Sequence, residues 1–432
     1  MLKTILPLNL IMFLRFLGIF LVMPLISIYA LEIDGATPLL VGFVIGGYAV
    51  TQALLQVPFG SLSDRIGRRG AILLGLIIFL IGSIVSAFAT DIYTLIFGRL
   101  LQGAGAIGSV VSASVSDLVD ESKRAKAMAI MGASIGLAFS LSMAFGSTLG
   151  AYVGVDNLFL LTGVFAIVSI YLLTKVREVP PVEIKYSSNS DFHPMRNSET
   201  LYYMISSAIQ KGMMSLLFML IPLLLVSKFG WDKAELWRIY VPAMILGFLS
   251  MPLAIIIGEK RNKPKTLFIL SAGLFIAVST LLIFSDDEVL FLIAVPLFFF
   301  AFNLIEPLIQ SVVSKLSPVH QKGKVLGYTN SFAYSGTFVG GVLGGLLYDN
   351  IPLLGAILIG LSTIWFLWSF KMRNPIRKGT IYFKHRHFLE QKLERESFDF
   401  VDEWYINRSE NLIAIRYQVD NWSEDEIREK LK

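Results

Sequence analysis

The sequence predicts an all-α integral membrane protein of two six-helix bundles, with a small α+β unit at its C-terminal end. Three observations lead to this fold class. The 432 residues are 55% hydrophobic and only 16% charged, the apolar residues fall into twelve long runs, and the composition becomes polar after residue 371. Runs of about 20 residues span the roughly 30 Å core of a bilayer, where a helix satisfies every backbone hydrogen bond internally.

The twelve runs alternate with short polar loops, and one longer polar link divides them six and six. The predicted spans are 5–30, 39–59, 71–90, 92–117, 125–150, 157–175, 200–226, 237–258, 265–284, 288–315, 323–348 and 351–371. This pattern predicts an N-terminal bundle over 1–175, a link over 176–199, a C-terminal bundle over 200–371 and a small domain over 376–432.

Lysine and arginine collect in every second loop, beginning with Arg65, Arg68 and Arg69 between the second and third spans. The alternate loops carry mainly aspartate and glutamate, with Lys228 and Lys233 among the exceptions. By the positive-inside rule, both termini and the link are expected in the cytoplasm. These loops account for the net charge of +5, so we expect no nucleic-acid partner. No small-residue cleavage site follows the first run, which predicts a retained first helix.

Several chemistries are excluded or disfavoured by composition. The chain has no cysteine, so disulfides and cysteine-based metal sites are excluded. It lacks the G-x-x-x-x-G-K-[ST] sequence of nucleotide-driven pumps. Its four histidines lie outside the predicted spans, without metal-ligand spacing. We expect no enzyme activity, no metal and no cofactor.

The two halves resemble each other in sequence. Ser116-Asp117-Leu118 corresponds to Ser314-Lys315-Leu316, 198 residues further on, and Asp64 corresponds to Glu259, 195 residues further on. A duplicated six-helix unit is typical of a secondary transporter whose halves rock about a central site. Chance matches among basic loop ends are the alternative interpretation.

Residues 60–70 place four charged side chains in the gap between the second and third spans. Gly60 would allow a close helix approach, Gly67 a sharp chain reversal, and Arg68 would reach Asp117 at the end of the fourth span. We expect Arg68 and Asp117 to join the ends of two spans; the alternative is that the arginines only set orientation. The residues of interest in this region are Gly60, Asp64, Arg65, Gly67, Arg68 and Asp117.

Ionisable residues within the spans are costly in lipid and should face protein or a water-filled cavity. Glu306 is the best candidate for carrying a proton; the alternative is a static ion pair with Lys211 or Arg15. Arg15 is a further candidate for proton coupling. Arg99 also lies within a span and should face a cavity or a carboxylate, although it could instead extend to the membrane surface. The predicted cavity or substrate residues are Gln52, Gln56, Gln102, Lys211, Asn303 and Gln310. Phe298, Phe299, Phe300 and Phe302 would line a pocket or pack in the core.

Residues 60–69 match motif A of the major facilitator superfamily, G-x-L-[SA]-D-R-x-G-R-[RK], at every defining position. Arg99-Leu100-Leu101-Gln102-Gly103 matches its motif B, R-x-x-Q-G, which is tied to proton coupling in related exporters. This resemblance makes Arg99 a further candidate for proton coupling. The sequence therefore resembles this superfamily over all twelve spans. The resemblance implies that motif A locks the cytoplasmic ends of the halves together in the outward-open state. It also implies that Asp64 faces the eleventh span and that Arg68 pairs with Asp117. The predicted conformational latch then comprises Gly60, Asp64, Arg65, Gly67, Arg68 and Asp117.

The fifth span departs from the pattern of drug/proton antiporters, because Leu137 stands where their motif C has proline. The small residues Gly132 and Gly136 before it would still suit close helix packing. The first span, the run from Ala301 to Glu306 and the C-terminal tail together resemble a branch of proton-driven exporters that carry a ferredoxin-like domain. The tail lacks the Cys-x-x-Cys of metal-carrying domains of that kind, so no metal is expected there. The resemblance implies a bacterial inner membrane for this chain.

The tail itself predicts the order strand, helix, strand, strand, helix, which is a ferredoxin-like unit without its last strand. Strands are expected at 380–383, 400–406 and 412–419, with a turn at 407–411. A helix over 386–396 would place Phe388, Leu389 and Leu393 on one face, and a capping box from Ser423 to Glu426 would open the last helix. The tail would act either as a regulatory domain or as a solvated cap.

We therefore expect a proton-coupled secondary transporter that exports a small organic molecule or drug by alternating access. Its partners would be the substrate, protons and the lipid bilayer, and it would act as a monomer driven by the proton gradient. Uptake by proton symport is one alternative. A transport-inactive membrane sensor acting through the tail is the other. The sequence does not identify the substrate.

Overall fold

The computed structural model describes residues 2–178, 184–186, 192–283 and 286–431, and within them every predicted span forms a helix. In order, the spans are Leu2–Leu21 with Ile26–Leu31, Pro38–Ile66, Arg68–Ala87, Ile92–Ala104 with Gly108–Leu118, Glu121–Val153, Val155–Leu173, Ser198–Leu223 with a π-helical end Leu224–Lys228, Trp237–Leu253 with a π-helical end Ala254–Lys260, Pro264–Ile283, Glu288–Leu316, Lys322–Leu346 and Ile351–Lys371. Short 3₁₀ turns occupy Lys233–Glu235, Val319–Gln321 and Tyr348–Asn350.

Eleven spans in the described parts of the chain are long and apolar enough to cross a membrane by length and composition. The remaining one, Lys322–Leu346, carries seven glycines, which lower its mean hydropathy. The chain is a multi-pass, mostly helical membrane protein.

Polar residues at the loop ends explain where several spans begin. Asp91 and Asp287 each accept hydrogen bonds from two backbone N–H groups of the helix that follows, and Asn197 does the same for the seventh span. These side chains satisfy donors that have no partner within the helix. Gly67 ends the second span at φ +84°, so the sharp reversal predicted at this glycine is confirmed.

The two sets of loops define two faces of the molecule. We call the side that carries 64–69, 119–126, 260–265 and 317–324 the basic face, and the other side the opposite face. The first six and last six spans touch most closely toward the opposite face. A Cβ on Gly42 would lie 2.4 Å from the carbonyl oxygen of Gly341, and one on Gly345 would lie 2.3 Å from that of Pro38. Glycine is therefore required where the second and eleventh spans cross.

The same face is closed by polar contacts between the halves. Lys233 pairs with Glu32 at 2.5 Å, and the Thr148 hydroxyl donates to the carbonyl oxygen of Ala234 over 3.3 Å. Toward the basic face, by contrast, a Cβ on Gly132 or Gly136 would meet no atom within 4 Å. The close packing expected at these two glycines is therefore absent in this arrangement. The membrane part is closed at the opposite face and open toward the basic face.

The tail forms a four-stranded antiparallel sheet with two helices. Strand β1 is Ile184–Tyr186, β2 is Lys378–Lys384, β3 is Glu403–Asn407 and β4 is Leu412–Gln418, in the order β1-β3-β4-β2. The tail alone supplies strand, helix, strand, strand and helix, as the sequence predicts. The fourth strand comes from the link between the halves and pairs with β3. Sequence reasoning missed it, and the flanking residues 179–183 and 187–191 lie outside the described part.

A separate apolar core holds the tail together, built from both helices and the sheet. Helix His387–Arg395 buries Leu389 and Leu393, but Phe388 is 67% exposed. The expectation that Phe388 shares their face is wrong, because Phe388 is one residue, or about 100°, away from Leu389. The capping box of helix Glu424–Lys430 is confirmed, since Ser423 and Glu426 exchange both of its hydrogen bonds.

The crossing of the second and eleventh spans makes a direct stability prediction. Gly42→Leu forces a side chain into the carbonyl of Gly341, so it should lower the free energy of unfolding by about 1–3 kcal/mol. Gly360→Leu is the matched control, because a Cβ at Gly360 meets no atom within 4 Å. Thermal unfolding in detergent micelles measures both variants. Equal melting temperatures for them would contradict the packing described.

Candidate functional site

A lysine and a glutamate form an ion pair deep within the C-terminal set of spans. The Lys211 ammonium on the seventh span donates to Glu306 Oε1 on the tenth over 2.7 Å, and the side chains are 23% and 36% exposed. Lys211 also lies 4.7 Å from the centre of the Phe302 ring. Lys211 is thirteen residues from the start of its helix, about 20 Å along the helix axis. Since the opposite face is closed, water reaches this pair from the basic face.

Arg15 is buried in the N-terminal set of spans and does not face the cavity. Its Nη2 donates to the carbonyl oxygen of Gly105 over 2.8 Å and to Gln52 Oε1 over 3.5 Å. Its guanidinium lies 5.5 Å from the centre of the Phe79 ring, and its Nε and Nη1 have no hydrogen-bond partner. The predicted pair between Arg15 and Glu306 is not formed; Glu306 pairs with Lys211 instead.

Arg99 is also fully buried, so it does not extend to the membrane surface. Its Nη1 donates to Gln102 Oε1 over 2.6 Å, and its Nε donates to the carbonyl oxygen of Val44 over 3.2 Å. Its guanidinium lies 4.8 Å from the centre of the Tyr48 ring. Gln102 in turn donates to Ser83 over 3.0 Å. Motif B therefore ties the second, third and fourth spans together.

The other predicted cavity residues separate into buried and exposed groups. Gln52 and Gln56 are buried, and Gln52 Nε2 donates to the Tyr334 hydroxyl of the eleventh span over 2.7 Å. Asn303 is buried and donates to the backbone of its own helix. Gln310 is exposed and donates to Asn330 over 2.9 Å. Of the predicted set, Lys211, Glu306 and Gln310 are reached by solvent.

The phenylalanines near Glu306 belong mainly to the core. Phe298, Phe299 and Phe302 are buried and contact one another. Phe299 also lies 6.4 Å from Phe139 of the fifth span, ring centre to ring centre, so aromatic contacts join the halves at mid-depth. These three side chains therefore pack in the core and do not line a pocket.

Motif A forms a polar cluster at the basic face. Arg68 Nε donates to Asp117 Oδ2 over 3.1 Å, and Arg68 Nη1 donates to Asp64 Oδ1 over 2.6 Å and to the Ser63 hydroxyl over 2.5 Å. The Asp64 side chain is 64% exposed and has no hydrogen bond to the eleventh span among the described residues. Gly60 makes no close backbone approach either, since the nearest atom to its Cβ position is a Ser109 hydroxyl at 3.7 Å.

The second half carries a simpler counterpart of this cluster. Glu259, which corresponds to Asp64, pairs with Lys315 at 2.5 Å and with the Ser311 hydroxyl. Lys315 corresponds to Asp117, so the charge at this position is reversed between the halves. Where the first half needs Arg68 to bridge two carboxylates, the second half forms one direct ion pair. The internal repeat seen in the sequence therefore has equivalent contacts in three dimensions.

The tail binds both halves at the basic face through helix ends. Arg416 donates to the carbonyl oxygens of Lys315 and Ser317, over 2.8 and 2.9 Å, at the end of the tenth span. Glu410 accepts from the N–H of Glu121, over 2.8 Å, at the start of the fifth span. A cation at a helix C-terminus and a carboxylate at an N-terminus both complement the helix dipole. No sequence signal pointed to these contacts.

A tyrosine strengthens the contact with the fifth span. The Tyr405 hydroxyl donates to Glu121 Oε1 over 3.1 Å, and Arg124 donates to Glu121 Oε2 over 2.7 Å. Burial raises the pKa of Tyr405, and the Glu121 carboxylate raises it further. Tyr405 therefore remains a neutral hydrogen-bond donor over the physiological pH range.

In the described ranges, no group of three or more His, Asp or Glu side chains is placed to hold a metal ion. The clusters above consist of ion pairs and hydrogen bonds, so proton transfer and charge recognition are the chemistry they offer.

The charge reversal between the halves gives a testable prediction. Glu259→Lys and Lys315→Glu each place like charges together, so each should destabilise the protein by about 1 kcal/mol or less, as expected for a partly exposed pair. The double variant restores the pair and should recover most of that loss, which a double-mutant cycle of thermal unfolding measures. Additive losses in the double variant would contradict the pairing.

Comparisons with known proteins agree with this arrangement. The model of the Major Facilitator Superfamily matches residues 8–341 and, in an overlapping second match, 264–398. The chain is 35% identical over 379 residues to the inner membrane transport protein YajR of Escherichia coli (strain K12), covering 84% of this chain and 81% of YajR. It is 25% identical over 374 residues to the quinolone resistance protein NorA of Staphylococcus aureus (strain COL), covering 82% of this chain and 92% of NorA.

A solved structure shares the fold at low sequence identity. The D-xylose-proton symporter matches with a TM-score of 0.68 and 13% identity, over 87% of this chain and 99% of the symporter. From the family match, the relatives and the twelve-span arrangement, the chain belongs to the major facilitator superfamily, whose members are transporters and not enzymes.

Proposed function

We propose that this transporter is proton-coupled and exports a small organic molecule by alternating access. The observation that carries the proposal is the Lys211–Glu306 pair, which solvent reaches at mid-depth of an apolar bundle. Secondary transporters place their substrate and ion sites near the bilayer midplane. Two partly exposed, mutually paired charges at this depth cost free energy. Their presence therefore indicates a role in transport.

Glu306 would carry the proton. The Lys211 ammonium donates a hydrogen bond to the Glu306 carboxylate, so protonation of Glu306 removes the charge that holds Lys211. One proton thereby changes both the charge and the conformational freedom of the site. Arg15 and Arg99, which we expected to share this role, are buried among neutral groups and would act on the site through their charge.

Motif A would serve as the latch between the two states. In this arrangement, open toward the basic face, Arg68 holds Asp117 within the first half while Asp64 remains exposed. Closing the basic face would bring Asp64 toward the eleventh span, as the family resemblance implies. Residues 1–175 and 200–371 would then move as two bodies joined by the 176–199 link.

We propose that the basic face is cytoplasmic and that the membrane is a bacterial inner membrane, with both termini inside. The distribution of lysine and arginine supports this orientation, and the printed name of the Escherichia coli relative supports the location. Export is favoured by the Bacillus subtilis relative called multidrug resistance protein 2, which is 26% identical over 381 residues. The second candidate is uptake by symport, favoured by Leu137 standing at the motif C proline position.

The tail would be a ferredoxin-like domain that responds to the relative position of the halves. Its strand order β3-β4-β2 and its connections are those of such a unit, with β1 donated by the link. Arg416 binds the tenth span and Glu410 the fifth, so the tail contacts both halves. This double attachment favours a regulatory role over a simple cap.

The central test replaces the proposed proton carrier. Glu306→Gln cannot release a proton, so transport in proteoliposomes should lose its dependence on an imposed pH gradient. Glu235→Gln, at an exposed ion pair with Arg238 on the opposite face, is the matched control and should keep it. An unchanged gradient dependence in Glu306→Gln would rule out the proton role.

The latch makes a separate prediction. Asp64→Asn should lower the transport rate about tenfold, the effect of about 1.4 kcal/mol on the closed basic face, while membrane insertion stays normal. Asp120→Asn is the control, since Asp120 is an equally exposed acid on the same face and pairs with Lys123. Wild-type transport by Asp64→Asn would contradict the latch.

A further inference from the structure

We infer that the Lys211–Glu306 site binds an organic anion. The acidic group of this anion pairs with Lys211 when Glu306 releases Lys211. This inference rests on the proposed transport function only in using the same site, and it holds for export and for uptake. It concerns the charge class of the substrate.

Positive charge exceeds negative charge within the membrane part of the described chain. In the described residues, the charged side chains located well inside the spans are Arg15 and Arg99, which are buried, and Lys211 and Glu306, which are partly exposed. Glu306 neutralises Lys211, and no carboxylate lies within ion-pair distance of either arginine in the same described ranges. Two positive charges are therefore left without a counter-ion in the first half.

The partners of both arginines are neutral. Arg15 donates to a backbone carbonyl and to Gln52, and Arg99 donates to a backbone carbonyl and to Gln102. Hydrogen bonds to neutral groups reduce the cost of burying a charge but do not cancel its field. Arg15 even keeps two N–H groups without an acceptor. In a medium of low dielectric constant, such a field extends further than it does in water.

A chain of contacts extends from this positive charge toward the second half. Arg15 bonds to Gln52, and Gln52 donates to Tyr334 of the other half over 2.7 Å. An ion entering from the basic face therefore meets Lys211 with a positive background behind it. That background attracts anions and repels organic cations.

The ion pair itself provides the exchange step. The Glu306 carboxylate is already paired with the Lys211 ammonium, so a substrate anion must compete with Glu306 for Lys211. A proton on Glu306 removes this competitor, and proton and anion then favour each other's binding. Among the described residues, Lys211 is the charged group in contact with Glu306, and the titratable Tyr334 hydroxyl is held by Gln52, with Arg15 behind it. Anion affinity should therefore rise as the pH falls.

The test uses three probes with one aromatic body: 1-naphthylacetate, neutral 1-naphthylmethanol and 1-naphthylmethylammonium. Binding of each to the purified full-length chain is measured by calorimetry at one acidic and one alkaline pH. We expect the carboxylate to bind about tenfold more tightly than the alcohol, which corresponds to about 1.4 kcal/mol, and more tightly at the acidic pH. The ammonium probe should bind most weakly.

Two variants sharpen the result. Lys211→Gln should lose the preference for the carboxylate, while Lys228→Gln, at an ion pair on the opposite face, should retain it. Glu306→Gln should bind the carboxylate at least as tightly as wild type and without pH dependence. Stronger binding of the ammonium probe to wild type would overturn the inference. So would unchanged carboxylate binding by Lys211→Gln, or the absence of binding by all three probes.

Failure of this inference and failure of the proposed function give different results. The binding experiment contains no gradient, so a transporter that is not proton-driven would still show the preference for the carboxylate. A proton-driven transporter of cations would lose gradient dependence in Glu306→Gln but would prefer the ammonium probe.

Discussion

The cost of placing charge in a bilayer governs this molecule. No water is present in the hydrocarbon core to solvate an ion, so each interior ionisable group must find its partner within the protein. Lys211 and Glu306 satisfy each other across two spans of the second half. Arg15 and Arg99 are instead held by carbonyl oxygens, glutamine side chains and aromatic rings of the first half. The two halves share a fold but stabilise their interior charges in different ways. The solvent-exposed pair Lys211–Glu306 lies in the second half.

The same rule orders the basic face, where the halves keep equivalent contacts with altered chemistry. Arg68 joins Asp64 and Asp117 in the first half, and Glu259 meets Lys315 directly in the second. Each cluster ties the end of one span to the end of another within its own half. Contacts between the halves include the glycines of the second and eleventh spans and the Glu32–Lys233 pair. The two clusters at the basic face therefore brace each half internally.

Much of this arrangement could be predicted from the sequence because it depends on strong local signals. The apolar runs predict the spans, Gly67 predicts the chain reversal, and the motif A sequence predicts that Arg68 lies near Asp117. The depth of burial of Arg15, Gln52 and Gln56 could not be predicted, because one helix offers several polar-compatible faces and only packing selects among them. The close packing expected at Gly60, Gly132 and Gly136 is absent from this structure, because the neighbours of a glycine are decided by tertiary packing and not by its local sequence. The strand at 184–186 has three residues and no alternation to reveal it.

The most direct test of the account is whether the two halves rock about the central pair. The chain has no cysteine, so pairs of spin labels can be introduced without background. One pair would replace Lys126 and Lys260 at the basic ends of the fifth and eighth spans, and the other Tyr152 and Trp237 at their opposite ends. Pulsed electron–electron distance measurements in nanodiscs, on shifting the pH, should show one distance lengthening as the other shortens. Distances that change in the same direction, or do not change, would contradict alternating access in this protein.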